Sequence, residues 1–265
     1  MANLQVTYFS PSIMRFTTFQ MVLPNDTPPA MKENNRHYDR PMKTLFLLHG
    51  FSGCSVDWVT GSLINELAGR YNLAVVMPSG DNSFYLNGAG SCNKYEDFLC
   101  GDLVAYIRDT FGLAKTPEDT VIGGLSMGGF GAIHSGLAHP DVFGKMFGLS
   151  SALICDTIQG MKPGSADGIA DYDYYRQVFG DLDHLDESPK NPKYLVKQRV
   201  AKGEKIRPVF MACGSEDFLI ENNRDFHEFL VKHGVDVTYR ESPGVHEWKF
   251  WNEYIEPAIE WALKK

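Results

Sequence analysis

The chain has 265 residues, enough for one large α/β core or two small ones, and its 43% hydrophobic and 22% charged residues are those of an ordinary globular protein. A net charge of −8, with Lys and Arg scattered instead of gathered in a stripe, argues against nucleic acid as a partner and indicates a solvated acidic surface. No apolar run reaches the roughly eighteen residues that a membrane-spanning helix needs, so no membrane partner is expected.

Residues 4–10 (LQVTYFS) and 15–23 (RFTTFQMVL) are rich in β-formers and separated by a Pro-Ser turn, which predicts an antiparallel hairpin at a sheet edge. A polar loop with Pro24, Pro28, Pro29 and Pro41 leads to KTLFLLHG at 43–50, a continuous apolar run that predicts a strand buried on both faces. Strand and helix then alternate. A helix is expected over 57–70, a strand in LAVVMPSG, a helix over 94–112, a strand in TVIGGLS, a helix after Ser126 and a strand within FGKMFGLSSA. Residues 151–205, rich in Asp, Tyr, Gly and Pro, break the rhythm with only short helical patches in DYDYYRQVFG and PKYLVKQRVAKG. Beyond them come RPVFMACGSED, a helix near 220–233, DVTYRES and a final helix in EWKFWNEYIEPAIEWALKK.

Repeated βα units of this length require a mainly parallel, doubly wound sheet with helices on both faces. The whole chain, 1–265, is expected to be one such α/β domain, with 151–205 as an insertion above the sheet of the kind that often shapes a substrate site. Five cysteines (Cys54, Cys92, Cys100, Cys155 and Cys213) are odd in number, widely spaced and free of CxxC pairs, as in reduced thiols. The first residues, MANLQVTYFSPSIMRF, show no basic segment followed by an apolar run. A cytoplasmic location is therefore expected.

The stretch Gly124-Leu125-Ser126-Met127-Gly128 lies where an apolar strand stops and a helix begins, and it satisfies G-x-S-x-G. Small residues allow a turn tight enough to lift a serine hydroxyl above the carboxyl edge of the sheet, although a Gly-rich turn can also be merely structural. A second serine at a strand end, Ser150 in Gly148-Leu149-Ser150, lacks the following glycine and is assigned no role.

A serine hydroxyl needs a base to take its proton and an acid to hold that base in one tautomer, supplied in such sheets in the order Ser, acid, His. His227 and His233 fall in a helix, His134 and His139 on the helix after Ser126, His49 before the serine, and His184 in the insertion. His246, in SPGVHEW after the last strand, is the expected base; otherwise it is a surface residue capping the final helix. Gly214-Ser215-Glu216-Asp217 follows RPVFMAC, and Asp217 is favoured over Glu216 because successive residues there point in opposite directions.

Charge developing on an ester carbonyl would be met by fixed backbone N–H groups. The N–H of Met127, at the start of a helix, is one expected donor and that of Phe51, in the loop His49-Gly50-Phe51-Ser52-Gly53, the other. Trp58, Phe84 and Tyr85 are candidates to line an acyl or sugar pocket, or are ordinary packing.

The segments LLHGFSG, MPSGDNSFYLNG, GGLSMGGFGA, GSED and GVHEW, in this order, resemble the putative esterase family of α/β-hydrolases, which includes esterase D, bacterial tributyrin esterases, family 1 carbohydrate esterases and mycolyltransferases. The resemblance implies an α/β-hydrolase fold and a serine carboxylesterase without metal or organic cofactor. It carries Ser126, Asp217 and His246 as the triad and Phe51 with Met127 as oxyanion donors. Formylglutathione hydrolases usually carry histidine where this chain has Leu125 and Phe130, so the likeness is nearer to tributyrin esterases, which share a segment similar to VFGDLDHLDESPKNPKYL. Short acyl or cinnamoyl esters, with acylated sugars among them, are the substrates that it implies, and an S-formylglutathione thioesterase is the alternative.

Other classes fit less well. Neither GxxxxGK[ST] nor GxGxxG occurs at a strand-to-helix junction, which removes a nucleotide-binding reading, and HExxH is absent. The Asp pairs at 171/173 and 181/183 read as solvated turns, not as metal ligands. A noncatalytic binding module on the same fold would be marked by a lost triad member, and none is lost.

Overall fold

A computed structural model describes residues 1–264. Strands β1 (Ala2–Ser10) and β2 (Arg15–Leu23) form the expected hairpin, its register running from Ala2 opposite Leu23 to Ser10 opposite Arg15. Then come β3 (Lys43–Leu48), β4 (Leu73–Pro78), β5 (Thr120–Leu125), β6 (Lys145–Leu149), β7 (Val209–Gly214) and β8 (Val237–Ser242). Among the described residues these eight form one sheet in the order β1-β2-β4-β3-β5-β6-β7-β8. β3 to β8 run parallel, and β2 joins them antiparallel along β4. This is the architecture of an α/β-hydrolase.

The apolar runs of the central strands divide between two cores because alternate side chains leave opposite faces of the sheet. Phe46, Leu48, Val76, Ile122 and Met211 enter one core, while Leu45, Leu47, Val75, Val121 and Phe210 enter the other. β1, at the edge, instead alternates between more and less exposed positions, as a strand with one wet face should.

The helix expected over 57–70 is two helices, α1 (Asp57–Gly61) and α2 (Ile64–Tyr71). Ser62 between them is extended, and a Cβ on Gly61 would strike the ring of Trp248, so the chain bends where that indole packs. Before β5, a π-helical turn at Phe98–Leu103 runs into α3 (Val104–Phe111). α4 (Met127–Ala138), which follows Ser126, is buried at every position from Met127 to Leu137 and so shows no polar face.

Residues 151–205 carry α5 (Cys155–Ile158), α6 (Tyr172–Phe179) and α7 (Pro192–Ala201). Asp171 caps α6 through the N–H of Tyr174, and Asn191 caps α7, which opens with Pro192. α8 (Ile220–Lys232) and α9 (Trp248–Leu263) complete the chain. No helix among the described residues is long and apolar enough to cross a membrane.

Register aligns the carboxyl ends of the strands. Leu48 lies opposite Gly124, Leu125 opposite Leu149, and Gly214 opposite Ser242. The loops after β3, β5, β7 and β8 therefore open on one edge of the sheet.

Candidate active site

Ser126 adopts φ 54° and ψ −119°, a conformation that L-residues rarely occupy. Crowding around it explains the glycines: a Cβ at Gly124 would fall on the carbonyl of Gly128, and one at Gly128 on the carbonyls of Leu48 and His49. The strained turn is held from outside. Ser126 N–H donates to Leu149 O at 2.9 Å, and Ser126 O accepts from Phe130 N–H at 3.1 Å and Ala152 N–H at 2.9 Å. A turn tied to two strands and a helix keeps the hydroxyl at the sheet edge.

His246 stands over it, with Nε2 2.9 Å from Ser126 Oγ and Nδ1 2.9 and 3.1 Å from the carboxylate oxygens of Asp217. Of the eight histidines in the sequence, this is the one the structure brings to Ser126. Asp217 also accepts from Leu219 N–H at 2.9 Å. Burial opposes its ionisation, yet the hydrogen bonds from His246 and the Leu219 amide outweigh it and hold the carboxyl below its ordinary range. An ionised carboxylate only accepts, so Nδ1 carries a proton and Nε2 is left to accept from the serine.

The neighbouring Glu216 points the other way, as strand alternation suggested, and its carboxylate accepts from Gly244 N–H at 2.6 Å. Glu216 N–H donates to Gly244 O at 3.0 Å and Ser215 N–H to Ser242 O at 2.9 Å. The acid loop and the histidine loop are thereby laced together.

On the other side of Ser126, the N–H groups of Phe51 and Met127 have no protein acceptor among the described residues. The Phe51 loop is fixed by its neighbours. Ser52, at φ 63°, donates its N–H to Asn82 Oδ1 at 2.8 Å. The buried His49 ring donates from Nδ1 to Gly50 O at 2.7 Å and accepts at Nε2 from Gly80 N–H at 2.8 Å. Desolvation keeps that imidazole below its usual pKa, so it acts as a neutral strut.

The three aromatics that the sequence offered either as pocket lining or as packing are buried. Trp58 is 1% exposed with its indole N–H on Leu48 O; Phe84 is 3% exposed against Phe130 and Phe179; Tyr85 is fully buried with its hydroxyl donating to His49 O. All are core, because the turns after β3 and β4 fold their large side chains under the loops. Two aromatics that sequence reasoning did not single out stand beside His246 and Phe51. Phe218 is 66% exposed with its ring 4.7 Å from His246, and Tyr174 of α6 packs edge-on against Phe51 at 5.7 Å. Nothing in their local sequence distinguishes them from other aromatics.

A cleft of about 690 Å³ opens at the opposite, amino-terminal edge of the strands, between Lys43, Glu118, Lys145 and Arg207. None of its lining belongs to the loops just described, so cavity size does not locate this chemistry.

Comparison with known proteins agrees with the geometry. A family model described as putative esterase matches residues 10–261. An acetyl esterase of Caldicellulosiruptor saccharolyticus is 41% identical over 264 residues, covering 100% of this chain and 99% of that protein. Among solved structures, the fluorophosphonate-binding serine hydrolase FphF of Staphylococcus aureus superposes with TM-score 0.84 at 29% identity, covering 100% of this chain and 99% of its own. The S-formylglutathione hydrolase FrmB of the same organism superposes with TM-score 0.81 at 29% identity, covering 99% of both chains.

Proposed function

Since the chain belongs to the putative esterase family of α/β-hydrolases and is a carboxylesterase, we propose that it hydrolyses short-chain acyl esters, acetyl before longer ones, through an acyl-enzyme on Ser126. The observation that carries this reading is the unbroken hydrogen-bond chain Ser126–His246–Asp217, with 2.9 Å at each link. His246 takes the serine proton as the hydroxyl attacks the ester carbonyl. Asp217 orients the imidazole and stabilises its cation, and the free N–H groups of Phe51 and Met127 receive the oxyanion. Protonated His246 then gives its proton to the departing alcohol, and a water repeats the sequence to release the acid.

Acetyl specificity rests on the acetyl esterase relative, and acylated sugars are a further substrate class within this reading. The likeness to an S-formylglutathione hydrolase supports a second reading, thioester cleavage, which the same machinery would perform. The segment 151–205 serves as a cap-like insertion in this proposal, because Tyr174 reaches the oxyanion loop. Five free thiols support a reducing, cytosolic setting.

The test is Ser126→Ala. With p-nitrophenyl acetate, kcat is expected to fall by about 10⁶-fold with the circular dichroism spectrum unchanged. Rapid-quench mass spectrometry should find an added acetyl group on the native chain and none on the variant. Undiminished turnover would overturn the reading, and faster cleavage of S-formylglutathione than of acetyl esters would favour the second one.

A further inference from the structure

We propose that Phe218 is a specificity-determining residue, the wall against which the alcohol portion of the ester rests, and that it favours alcohols carrying a flat apolar ring. The inference deepens the reading above and rests on the roles given there to Ser126 and His246.

The backbone dictates that this ring stands in solvent. Asp217, Leu219 and Ile220 are buried, whereas Phe218 among them is 66% exposed. Asp217 N–H donates to Gly214 O at 3.1 Å, Leu219 N–H to the Asp217 carboxylate at 2.9 Å and Ile220 N–H to Asp217 O at 3.0 Å. A turn pinned on both sides of residue 218 sends its neighbours inward and holds its side chain out.

A single exposed apolar side chain is common and by itself signifies nothing. Phe9 and Phe16, also exposed, simply pack on each other across the hairpin at 5.6 Å. Phe218 differs in its partner. Among the described residues the one ring paired with it is the His246 imidazole, with centroids 4.7 Å apart and planes at 51°. Trp251 also meets the imidazole, edge-on at 5.1 Å, but it is buried and presents no open face. Phe218 is therefore the accessible aromatic surface beside the base.

The chemistry decides which half of the substrate reaches that surface. With the carbonyl oxygen on the N–H groups of Phe51 and Met127, the alcohol oxygen must come within hydrogen-bond reach of His246 Nε2, the atom 2.9 Å from Ser126 Oγ, to receive its proton. The carbon skeleton attached to that oxygen is thereby held on the histidine side of the serine, where Phe218 stands. An aromatic face gains from offset or edge-on contact with another flat ring and little from a short linear chain. The alcohol leaves before water attacks the acyl-enzyme, so the preference belongs to acylation and is read in kcat/KM.

Four esters separate the two halves of the substrate: phenyl acetate, phenyl butyrate, ethyl acetate and ethyl butyrate, followed by acid release. Comparing native and variant kcat/KM on each ester cancels the esters' own reactivities. Phe218→Ala should lose about tenfold on both phenyl esters and about twofold at most on both ethyl esters, with an unchanged melting temperature. Phe218→Tyr keeps the ring and should keep the native phenyl-to-ethyl ratio; Phe218→Leu should lower that ratio.

Equal losses on all four esters would mean that Phe218 serves the base and not the alcohol, which overturns the proposal. A loss that follows acyl length would put the ring on the acyl side and overturn it too, as would native constants throughout. Should the alanine variant fold poorly, the tyrosine and leucine variants decide, because the phenyl-to-ethyl ratio is independent of the active fraction. Ser126→Ala is the control: if it retains turnover, the reading of the site fails as a whole, whereas an inactive Ser126→Ala beside an unselective Phe218→Ala overturns only the role of the wall.

Discussion

Asp217 combines a fully buried side chain with a carboxyl held below its ordinary range, a state that hydrogen bonds and the attraction of the His246 imidazole maintain against burial. Replacing it by Asn leaves the volume and the bond from Leu219 N–H in place but offers His246 a donor where an acceptor is needed. The imidazole then turns to the tautomer that cannot accept from Ser126. Asp217→Asn should lower kcat by about 10⁴-fold with the fold retained, a loss of the order found for triad acids in serine proteases. Steady-state kinetics with thermal denaturation checks it, and a loss below tenfold would contradict the assignment. Because Asp217 is held below the usual carboxylate range, its own protonation should not limit activity in mild acid. At this scale the sequence carried the choice of Asp217 over its neighbour, through the alternation of side chains at a strand end. It carried nothing about the hydrogen bond that Ser150 accepts from Trp251, on a helix a hundred residues later.

Between elements, the end of α4 is tied to the segment before the π-helical turn by His139 and Glu96, 2.9 Å apart. The Cys100 side chain and the Glu96 carboxylate push His139 up to about 10, while Glu96 is lowered as the His139 hydrogen bond outweighs burial. A histidine raised in the folded state contributes stability that is complete below its unfolded pKa of about 6.5 and is lost as pH rises through about 10. A lowered glutamate contributes above its unfolded value of about 4.3 and loses that contribution as pH falls. The pair should therefore stabilise most between about pH 4.5 and 6.5. Since His139 is about one-third exposed, solvent screening limits the gain to roughly 1 kcal/mol. Urea unfolding of His139→Gln should show its largest deficit near pH 6 and almost none near pH 10; a deficit independent of pH would refute the ion pair. Helices and strands themselves were legible from hydrophobic periodicity; the π-helical turn at Phe98–Leu103 was not, nor was the break at Ser62, which arises where Trp248 packs against Gly61. That packing joins residues too far apart for any local window to register.

Residues 151–205 meet the rest of the molecule beside the loop that carries Phe51. Tyr174 donates its hydroxyl to Asn82 O at 2.6 Å while its ring rests on Phe51, and Ala89 N–H donates to Gln177 O at 2.8 Å. Asn82 in turn holds Ser52, so the loop that carries Phe51 is braced from α6. Tyr174→Ala should lower kcat/KM several-fold and speed amide hydrogen exchange in 80–90 and 172–179, with exchange in the central strands unchanged. Equal exchange in both proteins would mean that α6 does not stiffen the loop. Apolar runs, glycine spacing and the order Ser, acid, His were enough, without coordinates, to specify a doubly wound sheet and to name Ser126, Asp217 and His246, because each signal lies within one element and its adjoining turn. The burial of Trp58, Phe84 and Tyr85, the place of Phe218 and Tyr174 beside the triad and the Phe51 loop, and the hydrogen bond from Trp251 to Ser150 were decided only by tertiary packing. They depend on which loops meet across the sheet edge, and through-space contact between distant segments leaves no periodic trace in the chain.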